Sequence, residues 1–241
     1  MGLIFRRYPS KICFSDGAGS VSKGEGKRAK SRQRNAKNNS IKVGVLALQG
    51  AVTEHLEMLS ECGAEGVPIK HPGELASVEA LIIPGGESTT IGKLISKYGF
   101  VGEIQKLTEK GAPIYGSCAG LILLAQKIAG SSQDTVKKEQ LSLKFMDIVV
   151  KRNAFGRQKE SFEIDLDVPE LGKEPFRAVF IRAPWIEKLN DGALALAKFE
   201  DKVVMARQGK FLVTAFHPEL TNDTRVHRYF LKMAKKRKFN P

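Results

Sequence analysis

Cys118, His217 and Glu219 are the side chains of this chain whose types and neighbours suit acyl transfer. A thiolate attacks a carbonyl carbon, a base takes the thiol proton, and a third group orients the base. Cys118 sits in GSCAG (116–120), with Gly116 two residues before it and Gly120 two after. That is the spacing of a nucleophile elbow, a strand-to-helix turn too tight for bulky neighbours. A helix N-terminus at such a turn favours the thiolate. The competing reading is a small buried thiol, since free cysteines are among the most buried residues. In FHPEL (216–220), His217 is the candidate base and Glu219 the group that holds the second ring nitrogen, with Pro218 stiffening the step between them. The competing reading there is a strand-end histidine. His55 follows a glutamate on a surface-like helix, and His71 and His227 lie in polar surroundings, so none makes an equal claim.

LIIPGGESTT (81–90) supplies the acceptor site. Gly85 and Gly86, at a strand end, expose backbone amides and can adopt conformations closed to other residues. One of these amides, with that of Ala119, would stabilise a tetrahedral oxyanion by about 3 kcal/mol per donor. The alternative is an ordinary turn before a helix capped by Ser88 or Thr89. The segment is not a phosphate loop, because the lysine such loops require is missing.

Short apolar strands alternate with helical periodicity through the first half, which predicts an α/β fold with an open, mainly parallel sheet flanked by helices. A strand opens the body at residue 41 and runs to Gly50, followed by a helix marked by Val52, Leu56 and Leu59. Strands are expected at 67–70, 80–83 and 113–115. Helical patterns follow at Ile91, Leu94 and Ile95, at Ile104 and Leu107, and from 118 to about 129. The second half is richer in strands, expected at 148–151, 161–166, 178–181, 193–197, 203–207 and 211–216, with antiparallel hairpins that make the sheet mixed at one side. A terminal helix spans 225 to about 236.

With 42% hydrophobic residues among 241, the chain has enough apolar material for one substantial core. The formal charge of +13 is carried by the ends. Residues 1–40 hold ten Lys/Arg against Asp16 and Glu25, residues 232–241 add five basic residues and no acid, and residues 41–231 balance 24 of each sign. A neutral body with basic arms is not built around phosphate backbones, so nucleic acid is not the expected partner. Residues 15–40 are too poor in apolar side chains to repay their ordering entropy. The expected division is therefore a basic, disordered extension (1–40), a catalytic domain (41–235) and a basic tail (236–241). Cys13, Cys62 and Cys118 form no CxxC pair and are odd in number, which argues against a disulfide scaffold and for a reducing, cytoplasmic setting. The four histidines are dispersed, so no metal site is expected. No apolar run approaches the roughly 18 residues of a membrane span.

LQG (48–50), PGGEST (84–89), GSCAG (116–120), RNAFGRQ (152–158), FIRAP (180–184) and FHPEL (216–220) occur in this order. Together they resemble the glutaminase subunits of pyridoxal 5'-phosphate synthase, within the class I glutamine amidotransferases, over nearly all of 41–235. The resemblance implies a nucleophile at Cys118 and a triad completed by His217 and Glu219. It implies glutamine binding through Gly86, Glu87, Ser88, Arg152, Ile181 and Arg182, with Gln49 at a partner interface. Paired charge-assisted bonds from an arginine suit an α-carboxylate. It also implies L-glutamine as substrate, no cofactor, and ammonia delivery to a (β/α)8-barrel synthase subunit in an assembly of twelve plus twelve. Members of that family are poorly active until docked, when the oxyanion hole at the Gly-Gly turn completes itself. One departure stands out: the glycine usual before the strand leading to RN is replaced around Ser142, Leu143 and Lys144. Two other readings of the same residues are a stand-alone Cys-His hydrolase of another amide or γ-glutamyl substrate, and a non-enzymatic partner subunit.

Overall fold

The computed structural model describes residues 40–130, 140–152 and 161–239. The chain divides into a unit of Met1–Asn39, which lies outside the described residues together with the expectation made for it, and a unit of Ser40–Pro241, which carries the fold.

The strands in chain order are β1 (Lys42–Leu46), β2 (Glu65–Ile69), β3 (Ala80–Ile83), β4 (Ile114–Ser117), β5 (Ala125–Ala129), β6 (Met146–Lys151), β7 (Ser161–Leu166), β8 (Phe176–Ile181), β9 (Trp185–Leu189), β10 (Leu194–Phe199), β11 (Lys202–Gln208) and β12 (Phe211–Thr214). The helices are α1 (Val52–Glu61), α2 (Ser88–Lys97), α3 (Phe100–Glu109), α4 (Ala119–Leu124) and α5 (Arg225–Phe239). Ten strands form one sheet in the order β2-β1-β3-β4-β12-β11-β9-β6-β5, with β10 added against β11. From β2 to β12 every pairing is parallel. Beyond β12 the sheet turns antiparallel through β11, β9 and β6, and only β5 and β6 run parallel again. Strands β7 and β8 pair as a separate antiparallel ribbon.

The central strands β3 and β4 are buried at every residue, as strands covered on two faces must be. That burial explains why β3 reads as a continuous apolar run and why the one polar side chain ending β4, Ser117, is paired inside with His55. The core joins them to Phe100 and Ile104 of α3 and to Phe230 of α5.

Two elements differ from the sequence expectation. The helix after Cys118 stops at Leu124, and the chain continues as β5. Its last carbonyls are captured from outside: Leu143 N–H donates to Leu123 O at 2.7 Å, and Phe145 N–H to Leu124 O at 3.1 Å. The Ser142 hydroxyl donates to Ala125 O. Lys144, near where the resemblance leads one to expect a glycine, takes a φ of 58° and supplies the left-handed turn with a side chain attached. The second difference is β9, unforeseen because Pro184 precedes it and its inward residues are few; it bridges β6 and β11.

Candidate active site

Strand β4 delivers Cys118 to the carboxyl edge of the parallel sheet. Its neighbours are β3 and β12, with Gly116 opposite Ile83 on one side and Val213 on the other. The turn that follows leaves no room for side chains. A Cβ on Gly116 would lie 2.5 Å from the Gly120 carbonyl carbon, and one on Gly120 would lie 2.3 Å from Ile83 O. Both glycines of the expected elbow are thus required by backbone contact. Cys118 itself has φ 47° and ψ −94°, a strained conformation fixed by its N–H donating to Thr214 O at 2.8 Å. Its thiol is directed at Ile181 O, 3.9 Å away.

His217 arrives from the adjacent strand, three residues beyond the end of β12, and its N–H donates to Val179 O at 2.8 Å. The short turn Pro218–Leu220 swings Glu219 back onto the ring, so that Nδ1 of His217 is 2.8 Å from Oε1 of Glu219. The Cys118 side chain is the other group that acts on the imidazole and favours its charged form. Burial works against a charged imidazole here, but the bonds to Cys118 and Glu219 outweigh it and push the His217 pKa up to about 10. Burial also works against the Glu219 carboxylate, yet the rings of His55 and His217 that face it hold its pKa below the ordinary value. Gly85 lies directly on this pair: a Cβ there would fall 2.3 Å from His217 Cε1 and 3.5 Å from Cys118 Cβ.

The other residues singled out from sequence fall around this centre. Glu87, rather than Ser88 or Thr89, caps α2: its carboxylate accepts the N–H groups of Thr89 at 3.0 Å and Thr90 at 2.6 Å. Burial is the largest single influence and opposes ionisation, but these donors and the Thr90 hydroxyl together outweigh it and bring the Glu87 pKa down to about 2. Arg152 lies 3.8 Å from Glu87 Oε1 and also donates to Gln140 Oε1. Ser88 is buried as the first residue of α2. Gln49 accepts the Glu87 N–H at 2.8 Å through Oε1 and lies so close to Gly86 that a Cβ there would meet it at 2.6 Å. Ile181 gives its carbonyl to the thiol side of the site, and Arg182 beside it is exposed with φ 43°. Ala119 opens α4, so its N–H has no earlier carbonyl in the helix to bond. The rest of RNAFGRQ, residues 153–158, lies outside the described residues.

His55 and His227 correct the sequence reading. Neither lies on a polar surface; both are completely buried. His55 is on the inner face of α1 with Met58 and Leu59, and His227 is on α5 beside Val226. Helical spacing was the available signal, because His55 is three residues from Val52 and four from Leu59, and His227 three from Phe230. His71 does keep a surface role, capping the turn Pro72–Ser77. Among the described residues no cluster of His, Cys, Asp or Glu gathers as a metal site would.

A profile described as the SNO glutamine amidotransferase family matches residues 45–236. The chain belongs to that family. Curated SNO-type relatives include a protein of Pelotomaculum thermopropionicum named pyridoxal 5'-phosphate synthase subunit PdxT, 58% identical over 80% of this chain and 94% of that one. A protein of the same name from Moorella thermoacetica is 54% identical over 80% of this chain and 99% of that one. A solved structure titled glutamine amidotransferase is 49% identical, with a TM-score of 0.74, covering 80% of this chain and 98% of the other. The structure of PurLQS from Thermotoga maritima, only 15% identical with a TM-score of 0.60 over 80% of this chain and 98% of the other, shares the SNO family's fold.

Proposed function

We propose that this protein hydrolyses L-glutamine to glutamate and ammonia and passes the ammonia to a synthase subunit that makes pyridoxal 5'-phosphate. The observation that carries the reading is the His217 ring held by Glu219 at 2.8 Å, with Gly85 lying against both that ring and Cys118 Cβ. Family membership and the names of the relatives supply the substrate and pathway. His217 takes the Cys118 proton, and the thiolate attacks the side-chain amide carbon. Amides at Ala119 and at the Gly85–Gly86 turn hold the oxyanion. The amide nitrogen takes the imidazolium proton and leaves as ammonia; a water activated by His217 then cleaves the thioester and releases glutamate.

Arg152 is suited to the α-carboxylate of glutamine. Gly86, Glu87, Ser88, Ile181 and Arg182 complete the proposed pocket, a reading supported by Ile181 and the Gly85–Gly86 turn, which flank the thiol. The proposed partner is a (β/α)8-barrel protein in a twelve-plus-twelve assembly. Gln49, bonded to Glu87 N–H and resting on Gly86, would report its docking to the oxyanion hole. The free thiols of Cys62 and Cys118 suit a reducing cytoplasm. No helix among the described residues is long and apolar enough to cross a membrane. The domain limits proposed are 41–235 for the glutaminase, with basic arms of 1–40 and 236–241 that take no part in the chemistry.

Ammonia release from glutamine, measured with and without the synthase subunit, tests the reading. Release should rise on adding the synthase and vanish in Cys118→Ala; turnover that survives this substitution would refute the mechanism, and full turnover by the chain alone would favour a stand-alone hydrolase.

A further inference from the structure

Behind the triad, buried polar atoms link α1 to α5. His55 Nδ1 is 2.9 Å from His227 Nε2, and His55 Nε2 is 3.1 Å from Ser117 Oγ in the residue preceding the nucleophile. The same Nε2 stands 3.6 Å from Oε2 of Glu219. That is beyond hydrogen-bond length, but it leaves the ring edge facing the carboxylate. Two buried atoms in the group have no hydrogen-bond partner, Glu219 Oε2 and His227 Nδ1.

With both rings neutral, one proton lies between them, so two arrangements are possible. If His55 carries its proton on Nδ1, His227 must accept at Nε2 and carry its own proton on the unpartnered Nδ1. A buried donor is then stranded, and the Nε2 lone pair of His55, accepting from the Ser117 hydroxyl, is turned toward a carboxylate. If His55 is protonated on Nε2, His227 donates from its Nε2 to His55 Nδ1. Its unpartnered Nδ1 is then an empty acceptor, and an N–H faces both Ser117 Oγ and Glu219 Oε2. The second arrangement wins on both counts, because a stranded donor and a lone pair against an anion each cost desolvation or repulsion.

We infer that His55 is a positioning residue for Glu219: held by His227 and protonated at Nε2, it keeps the carboxylate turned so that Oε1 stays on His217 Nδ1. The inference rests on the proposed role of Glu219 as the group that orients the base. Burial keeps His55 neutral against the pull of Glu219. The titratable groups facing it are Glu219 and His217 beyond β12, His227 on α5, Tyr115 on β4 and Glu54 on its own helix.

The chain has four histidines, so selective 15N-histidine labelling resolves their tautomers by two-bond nitrogen–proton correlations in the full-length protein. His55 is expected neutral with its proton on Nε2; a proton on Nδ1, or an imidazolium, overturns the inference. In the presence of the synthase subunit, His55→Phe should lower kcat for glutamine about 10-fold with KM within about twofold. His55→Gln, which returns a donor near the Nε2 position, should recover most of kcat. A Phe variant as fast as the parent, or a Gln variant as slow as the Phe variant, overturns it. Should the Phe variant fail to fold, the tautomer and the Gln variant, expected within about threefold of the parent kcat, decide the matter. Turnover surviving in Cys118→Ala would instead refute the site reading, and is distinguishable because the tautomer is read without catalysis.

Discussion

Ser117 and Thr214 are register partners on neighbouring parallel strands, and the Cys118 N–H donates back across that pair to Thr214 O at 2.8 Å. Cys118 and His217, the proposed nucleophile and base, thus leave the sheet side by side, one residue and three residues beyond the same pair. The remaining distance is closed by the ring of His217 itself, pinned from behind by Glu219 at 2.8 Å.

The raised pKa of His217 makes stability fall toward alkaline pH. In the unfolded chain the ring titrates near its ordinary value of 6.5, and in the fold it holds its proton to about 10. Its contribution is therefore complete below pH 6.5 and is lost as pH rises through about 10. The slope is at most about 1.4 kcal/mol per pH unit. Urea unfolding between pH 7 and 10 should show this decline, and Cys118→Ala, which lacks the bond that raises the ring, should show less of it.

His227 acts with the opposite sign. Burial first, and repulsion from the neighbouring His55 ring when both would be charged, lower its pKa to about 3. Between that value and 6.5 the unfolded chain binds the extra proton, so stability is complete above pH 6.5 and is lost as pH falls. Denaturant midpoints from pH 7 to 4 should drop more steeply for the parent than for His227→Phe, whatever their difference at pH 7.

Gly85→Ala places a methyl 2.3 Å from His217 Cε1, while the backbone stays able to fold. The imidazole must move off the thiol. Glutamine turnover with the synthase should fall by about 100-fold, the cost of a misplacement near 1 Å. Circular dichroism should remain that of the parent.

Gly120→Ala is expected to fail differently. Its methyl would meet a backbone oxygen, Ile83 O, at 2.3 Å, and neither strand β3 nor helix α4 can yield cheaply. The fold should lose about 2 kcal/mol or more, read as a lowered urea midpoint.

Cys118, His217 and Glu219 stand out in the sequence because each lies in a short segment whose local spacing states its geometry, and the fold brings the His217 ring onto Glu219. Strand β3 was equally plain, since burial on two faces leaves an apolar run, ALII. What stayed hidden depends on partners far along the chain. LILLA (121–125) reads as helix throughout, and only the amides of Leu143 and Phe145 end that helix at Leu124. His55 follows Glu54 and passes for a surface residue until Ser117 and His227, 62 and 172 residues distant, close around it. The glycine expected near 142–144 is absent, and Lys144 takes the left-handed φ of 58° there.

The shared register of β4 and β12 has an operational consequence. A slip of one residue between these strands would carry the sulfur about 3.3 Å along the sheet axis, out of the imidazole's reach, and no side-chain rotation could restore it. Hydrolytic competence is therefore an all-or-none reporter of the middle of the molecule, and it should disappear at the same denaturant concentration as the protection of the β4 and β12 amides from exchange.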